Sequence, residues 1–559
     1  MIVKSGPIKD LASLPLLWNR DYGLIFGEFQ YRPLVTLSLF INYACAGLNA
    51  SVWKEVNIAL HALNALLVYY WAARLAKSRA VGFLAALIFA VHPLHAEVVN
   101  VAMYRTELLS CACLMAAFIF YLRGDQARGS APWERGASWV FFGLALAAKP
   151  MSAALPLILG LYVLIFPHPV KELKSRLVSL WPYVLLAGFW CGVILPFFRP
   201  VFILGTETDL SYGTPFFSRL HARVFVHMSI PLCRYLGGFL CLVPPVLIYP
   251  THVPPFRDNW MPELAGWAIL TALACMAWRS RRSYPVLSFS FFFLALGLLP
   301  VSQILPFNML YADRYAYIPT IGCCLGAAFF IMRRLESQSF RWEGLIVTAA
   351  LLGALATLTV RRCLEWQDPV TLYTNEVLAH PDEIYARLSA ASALMDHQDY
   401  AQAMDHLRVA NSINPEDFRV RFALAHLRVR QGDDAKAAEI LAKLEQDFPQ
   451  KTALFLPFWE ESGFVYLRLA DLKKALSCFT KALRMNRYRS TLFEGCGLAM
   501  IGSGSGAFGA SLLKSAASMN SARAEPHRIL SLWYESQKDF PQAFIESQQA
   551  LILPQQGSL

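Results

Sequence analysis

Four cations, Arg32, Arg105, Lys149 and Arg314, stand beside or between long apolar stretches of the chain. Ionisable groups near membrane depth are costly, which makes them functional candidates by default. Their chemistry suits an anion such as phosphate, because a guanidinium presents a fixed fork to two oxygens and keeps its charge. Any one of them could instead be a span-end residue reaching for headgroups. Near them fall His92, His95 and Glu97 in the run His92-Pro-Leu-His-Ala-Glu97, with Tyr315 after Arg314 and Glu28 four residues before Arg32. His-x-x-His invites a metal reading, but zinc sites take three or four ligands and no third has an obvious spacing. Hydrogen bonding or substrate positioning is the expected role, so no metal ligand is assigned and a divalent cofactor is left open. A Ser-His-Asp set, a phosphate-binding loop and a dinucleotide fingerprint are absent from the sequence.

The elements that must position these groups are apolar. Of 559 residues, 56% are hydrophobic and 16% charged, against about 25% charged in soluble domains. The shortage of charge lies before Arg361-Arg362. Ten stretches read as spans: Ser51–Trp71, Ala80–Asn100, Thr106–Leu122, Ala137–Lys149, Met151–Phe166, Leu177–Pro196, Pro262–Trp278, Tyr284–Ile304, Arg314–Met332 and Glu343–Val360. A short hairpin is expected to turn at Lys149-Pro150, and Arg219–Val246 is left as either a span or a surface segment. Basic residues cluster at alternate breaks, which the positive-inside rule places in the cytoplasm. The other breaks, which hold the site candidates, then face out, and so does the chain after residue 360. The net charge of +11 is spent on orientation, and no basic stripe interleaved with aromatics points to nucleic acid. The twelve cysteines form no CxxC pair and many read as small hydrophobes.

After Arg361-Arg362 the chain becomes amphipathic with a period of about 34 residues, that of tetratricopeptide repeats. Small residues recur seven apart at Ala403/Ala410, Ala475/Ala482, Ala510/Ala517 and Ala543/Ala550. Five units are expected over 384–555, the fourth degenerate at Gly502-Ser-Gly-Ser-Gly506. Such arrays bind extended peptide or protein. The expected fold is therefore all-α: a multi-pass transmembrane bundle (51–360) after an outer loop (1–50), then a linker helix (361–383) and an α-solenoid.

Several motifs in order carry a family resemblance: Phe29-Gln-Tyr-Arg-Pro-Leu-Val-Thr-Leu-Ser-Leu39, Asn57-Ile-Ala-Leu-His-Ala-Leu-Asn64, His92-Pro-Leu-His-Ala-Glu97, Tyr104-Arg-Thr-Glu-Leu108, Lys149, Asp313-Arg-Tyr-Ala-Tyr-Ile-Pro319 and Trp366. Over essentially the whole chain they resemble multi-pass glycosyltransferases of the C superfamily, in the transmembrane-and-tetratricopeptide-repeat group related to protein O-mannosyltransferases. The resemblance implies transfer of a mannose-like hexose from a polyprenyl-phosphate donor to a protein acceptor on the extracytoplasmic face, in a bacterial inner membrane or the endoplasmic reticulum. It assigns the donor phosphate to Arg314 first, then Arg32, Lys149 and Arg105, with His92, His95, Glu97 and Tyr315 lining the cavity. The family's general base is one of an acidic pair that follows a first span. Both are expected upstream of Met1, so no catalytic base is assigned; Glu28 is the substitute within these residues. The rival reading is a non-catalytic membrane scaffold whose repeats bind protein.

Overall fold

The computed structural model describes residues 7–28, 30–126, 132–166, 170–198, 228–241, 256–302, 311–336, 341–520 and 523–553. Every regular element among them is helical. That follows from the solvent: lipid offers no partner for a backbone amide, so an apolar segment must satisfy its own. Among the described residues, five helices are long and apolar enough to cross a membrane: Ala50–Ala76, Ala102–Asp125, Glu172–Phe197, Met261–Ser280 and Trp342–Glu365. These and the similarities given below make the chain an integral membrane protein.

The other expected spans take different forms. The stretch read as Ala80–Asn100 is two helices, Arg79–Ala90 and Pro93–Asn100, that meet at 54°. Pro93 is the cause, since it has no amide to donate and its ring displaces the preceding turn. The hairpin expected at Lys149-Pro150 is a helix ending at Ala148, an extended Lys149, a 3-10 turn over Pro150–Ala154 and a helix Leu155–Ile165. Of the ambiguous 219–246, only 228–241 falls within the described residues. Its helix Ser229–Phe239 has 11 residues, about 16 Å, half of what a bilayer core needs. The last membrane helix runs unbroken from Arg341 to Glu365, so Arg361-Arg362 marks a change of composition and not a break in structure.

The bundle packs on buried aromatics, among them Trp71, Phe118, Phe289, Phe293 and Tyr317. Small residues set the helix spacing, as they do where lipid gives no hydrophobic drive. A Cβ on Gly322 would lie 2.6 Å from the carbonyl oxygen of Ser290, so Thr320–Glu336 can sit directly on Pro285–Leu298.

Beyond the short helix Pro369–Ala379, five helix pairs follow. Their first helices are Ile384–Asp396, Phe418–Arg430, Leu456–Arg468, Ser490–Gly502 and Ala524–Ser536. Their second helices are Tyr400–Ile413, Asp434–Asp447, Leu472–Met485, Gly506–Met519 and Phe540–Ile552. The period is interrupted once, by the extra helix Pro449–Leu454 ahead of the third pair. The small-residue beat is buried, with Ala403, Ala410, Ala475 and Ala482 all at 0% exposure. Phe479 fills the heart of the third pair, and a Cβ on Gly463 or Gly495 would run into its ring.

Among the described residues, hydrogen bonds join the membrane body to the helices that follow it. At the base of the solenoid, Arg362 donates to Glu376 (3.0 Å). At the turn between the third and fourth pairs, Arg487 and the Tyr488 hydroxyl both donate to Asp21 (2.6 and 2.8 Å).

Candidate functional site

The His92-Pro-Leu-His-Ala-Glu97 run lies at the 54° break. Breaking a helix inside a membrane frees carbonyls that must find donors. Here three consecutive ones do. Phe89 O accepts from His95 Nδ1 (2.8 Å), Ala90 O from His61 Nε2 (3.2 Å) and Val91 O from the Thr359 hydroxyl (2.7 Å). His95 Nε2 meets Thr320 Oγ1 (3.0 Å), and His61 Nδ1 meets the Tyr317 hydroxyl (2.7 Å). His92 accepts the Leu94 amide on Nδ1 (3.3 Å), capping the short helix that Pro93 starts, while its Nε2 donates to Phe239 O (3.0 Å). Each ring nitrogen of His92 and His95 thus has a protein partner. Among the described residues, no group of three or more His, Cys, Asp or Glu could hold a metal.

Glu97 follows the break and turns to Arg314. Its two oxygens accept from Arg314 Nη1 (2.7 Å) and from the Arg314 backbone amide (2.9 Å). The guanidinium lies against two rings, 4.7 Å from the centroid of Tyr104 and 5.1 Å from that of Tyr315. Across Tyr315, 5.4 Å from the same ring, lies the Lys149 ammonium. Lys149 makes a short, buried ion pair with Glu107. Arg32 opens the Pro33–Ala46 helix, which packs on the Pro132–Ala148 helix that ends at Lys149. Arg32 donates to Gln30 (2.9 Å), and its guanidinium lies 3.7 Å from the buried Glu28. Three of the four predicted cations therefore gather, brought from the loop before Pro33, the end of the Pro132–Ala148 helix and the 3-10 turn Asp313–Ala316. Each arrives with its own glutamate.

Arg105 stands apart in kind. It is 1% exposed and donates to Asn57 Oδ1 (3.0 Å), Asn42 Oδ1 (2.7 Å), Ser38 O and Trp53 O (both 3.3 Å). Those partners lie on the Pro33–Ala46 and Ala50–Ala76 helices, so Arg105 ties two helices to its own. A buried guanidinium without a carboxylate is tolerated because neutral oxygens satisfy it.

Sequence reasoning missed Glu107 as the partner of Lys149, and it missed the role of Asn57, His61 and Asn64. The signal was available in the latter. Their i, i+4, i+7 spacing puts three polar side chains on one face of an apolar helix, and that face holds Val99 O, Ala90 O and Leu108 O.

A tetratricopeptide-repeat family model matches residues 394–455. Over most of its length the chain is similar to proteins named protein O-mannosyl-transferase. Tmtc1 of Drosophila melanogaster is 24% identical over 486 residues, 70% of this chain and 55% of that one. Human TMTC1 is 26% identical over 477 residues, 75% and 52% of the two chains. The chain resembles these O-mannosyl-transferases. Mouse TMTC3, 21% identical, aligns with 84% of this chain and 54% of its own. The chain thus spans about half the length of these curated relatives. Among solved structures, "MamA 41-end from Desulfovibrio magneticus RS-1" aligns over 33% of this chain and 95% of its own, at TM-score 0.27 and 16% identity.

Proposed function

We propose that this chain is a membrane glycosyltransferase that moves a mannose-like hexose from a polyprenyl-phosphate donor to a protein acceptor on the extracytoplasmic face. The observation that carries the reading is the approach of Lys149 and Arg314 to the Tyr315 ring, with Arg32 at the start of a helix packed on the one that ends at Lys149, in a chain similar to proteins named O-mannosyl-transferases. Breaking the sugar–phosphate bond leaves charge on phosphate oxygens, and fixed cations stabilise that charge as it grows. The acceptor hydroxyl needs a base. Glu28, next to Arg32, is the candidate within these residues. Arg314 is the leading phosphate ligand in this reading. Arg105 is withdrawn to a structural role because its hydrogen bonds already serve the helices around it. The repeats supply the protein-binding surface.

A scaffold role is the second reading, favoured by the ion pairs: with Glu28, Glu97 and Glu107 in place the cations are already matched. The two separate in one assay. The full chain in nanodiscs, given radiolabelled mannosyl-phosphoryl-undecaprenol and a Ser/Thr-rich peptide, should label the peptide. Arg314→Ala should abolish labelling. Peptide binding without labelling in the unmodified chain would leave the scaffold reading.

A further inference from the structure

The loop that carries Glu28 and Arg32 is held from two sides. On one side lies the membrane body. Tyr22, fully buried, makes a short hydrogen bond with Thr36 and meets Tyr31 edge-on at 5.0 Å. Tyr31 stacks on Phe198 at 3.6 Å. On the other side lies the turn between the third and fourth repeat pairs. Asp21 receives Arg487 and Tyr488 there, and Asn486 Nδ2 donates to Leu24 O (3.2 Å). Asn486 is itself fixed, since its Oδ1 accepts the Tyr488 amide (2.9 Å). The Tyr488 ring also packs on the cluster of Tyr22, Phe26 and Tyr31.

Between these contacts and Glu28 the backbone is tightly turned. The helix Tyr22–Phe26 ends at Gly27, whose φ of 68° suits glycine, and the Glu28 amide folds back to Gly23 O (3.1 Å). The exposed Arg487 contributes little by itself, as surface pairs do. Tyr488 and Asn486, which combine packing with hydrogen bonds, carry the contact.

We propose that the Asn486–Arg489 turn clamps the Glu28–Arg32 loop, making Asp21 and Tyr488 positioning residues through which the repeats act on the site. An acceptor that changes the angle between the third and fourth pairs would shift Glu28 and Arg32, because the turn at that junction is the part attached to them. The catalytic half of this idea rests on the proposed function; the mechanical half does not.

The test uses the full chain in nanodiscs with two readouts. The first is hydrogen exchange at Leu24, Ile25 and Glu28. Asp21→Asn combined with Tyr488→Phe should speed exchange there about tenfold, as local opening of a released segment does. Helices distant from the turn should stay protected. Unchanged exchange in the Asp21→Asn, Tyr488→Phe chain would overturn the clamp. The second readout is transfer from mannosyl-phosphoryl-undecaprenol. Positioning predicts a lower kcat at unchanged peptide KM, corrected for folded protein. Unaltered kinetics alongside faster exchange would also overturn the positioning role. If the unmodified chain transfers no sugar, the proposed function fails while exchange still decides the clamp.

Discussion

Glu97 holds Arg314 twice, by side chain and by backbone, across 217 residues of sequence. The two are 6% and 12% exposed at their side chains. Losing one partner of a buried pair strands the other charge, which costs about 3–5 kcal/mol. Glu97→Ala should therefore lower the unfolding midpoint of the detergent-solubilised chain clearly. Glu97→Ala with Arg314→Ala should cost less than the two single changes added together, since they share one interaction. Strict additivity would show that the pair does not act as a unit.

His95 and His61 serve carbonyls freed at the break. His95→Ala should cost about 1–3 kcal/mol by leaving Phe89 O buried without its donor. His61→Ala should do the same to Ala90 O. A chelator should leave the melting of the unmodified chain unchanged, because all four ring nitrogens of His92 and His95 are in use. A midpoint that falls with EDTA and recovers with zinc would contradict this account.

In four of the five pairs the second helix begins on a capping aspartate: Asp399, Asp433, Asp471 and Asp539. The fourth begins on Ser505, whose side chain makes no cap bond. Asp399→Ala should cost about 1 kcal/mol, while Ser505→Ala should be close to neutral. Acid provides a second check. The Lys436 side chain and amide hold the Asp433 carboxyl below its ordinary range, and the Lys474 amide and side chain do the same for Asp471. A depressed carboxyl adds stability above its unfolded value, about 3.9, and that stability fades as pH falls through the lower folded value. Amide protection at Lys436 and Lys474 should accordingly decline from about pH 4 downward, beyond the intrinsic change in exchange rate.

Phe479 leaves no room on either flank. Gly463→Ala or Gly495→Ala should destabilise the solenoid by about 1–3 kcal/mol through overpacking. Adding Phe479→Leu to either should recover part of the loss. A neutral Gly463→Ala, measured by thermal unfolding, would mean that the ring moves aside freely.

What was legible in the sequence follows from how far apart the interacting residues are. The solenoid could be read because its rules are local: a period of about 34 residues and an alanine beat every seven. The ion pairs could not. Lys149 and Glu107 are 42 residues apart and Arg314 and Glu97 are 217 apart, and no short-range pattern marks one as the partner of the other. Counting cations without those partners made the site look more basic than it is. The bend within the stretch read as Ala80–Asn100 went unforeseen because composition averages over Pro93. The proline was the cue, and His95 two residues after it supplies a donor for one freed carbonyl, Phe89 O.

The broken span also sets an order of assembly. Val91 O takes its hydrogen from Thr359, 268 residues later, and His95 is secured by Thr320, 225 residues later. While the chain emerges from the ribosome, these groups have no permanent partner until nearly the whole membrane portion has been made. The bend is thus among the last features of the membrane body to become secure, and a chain stopped before Thr359 would never complete it.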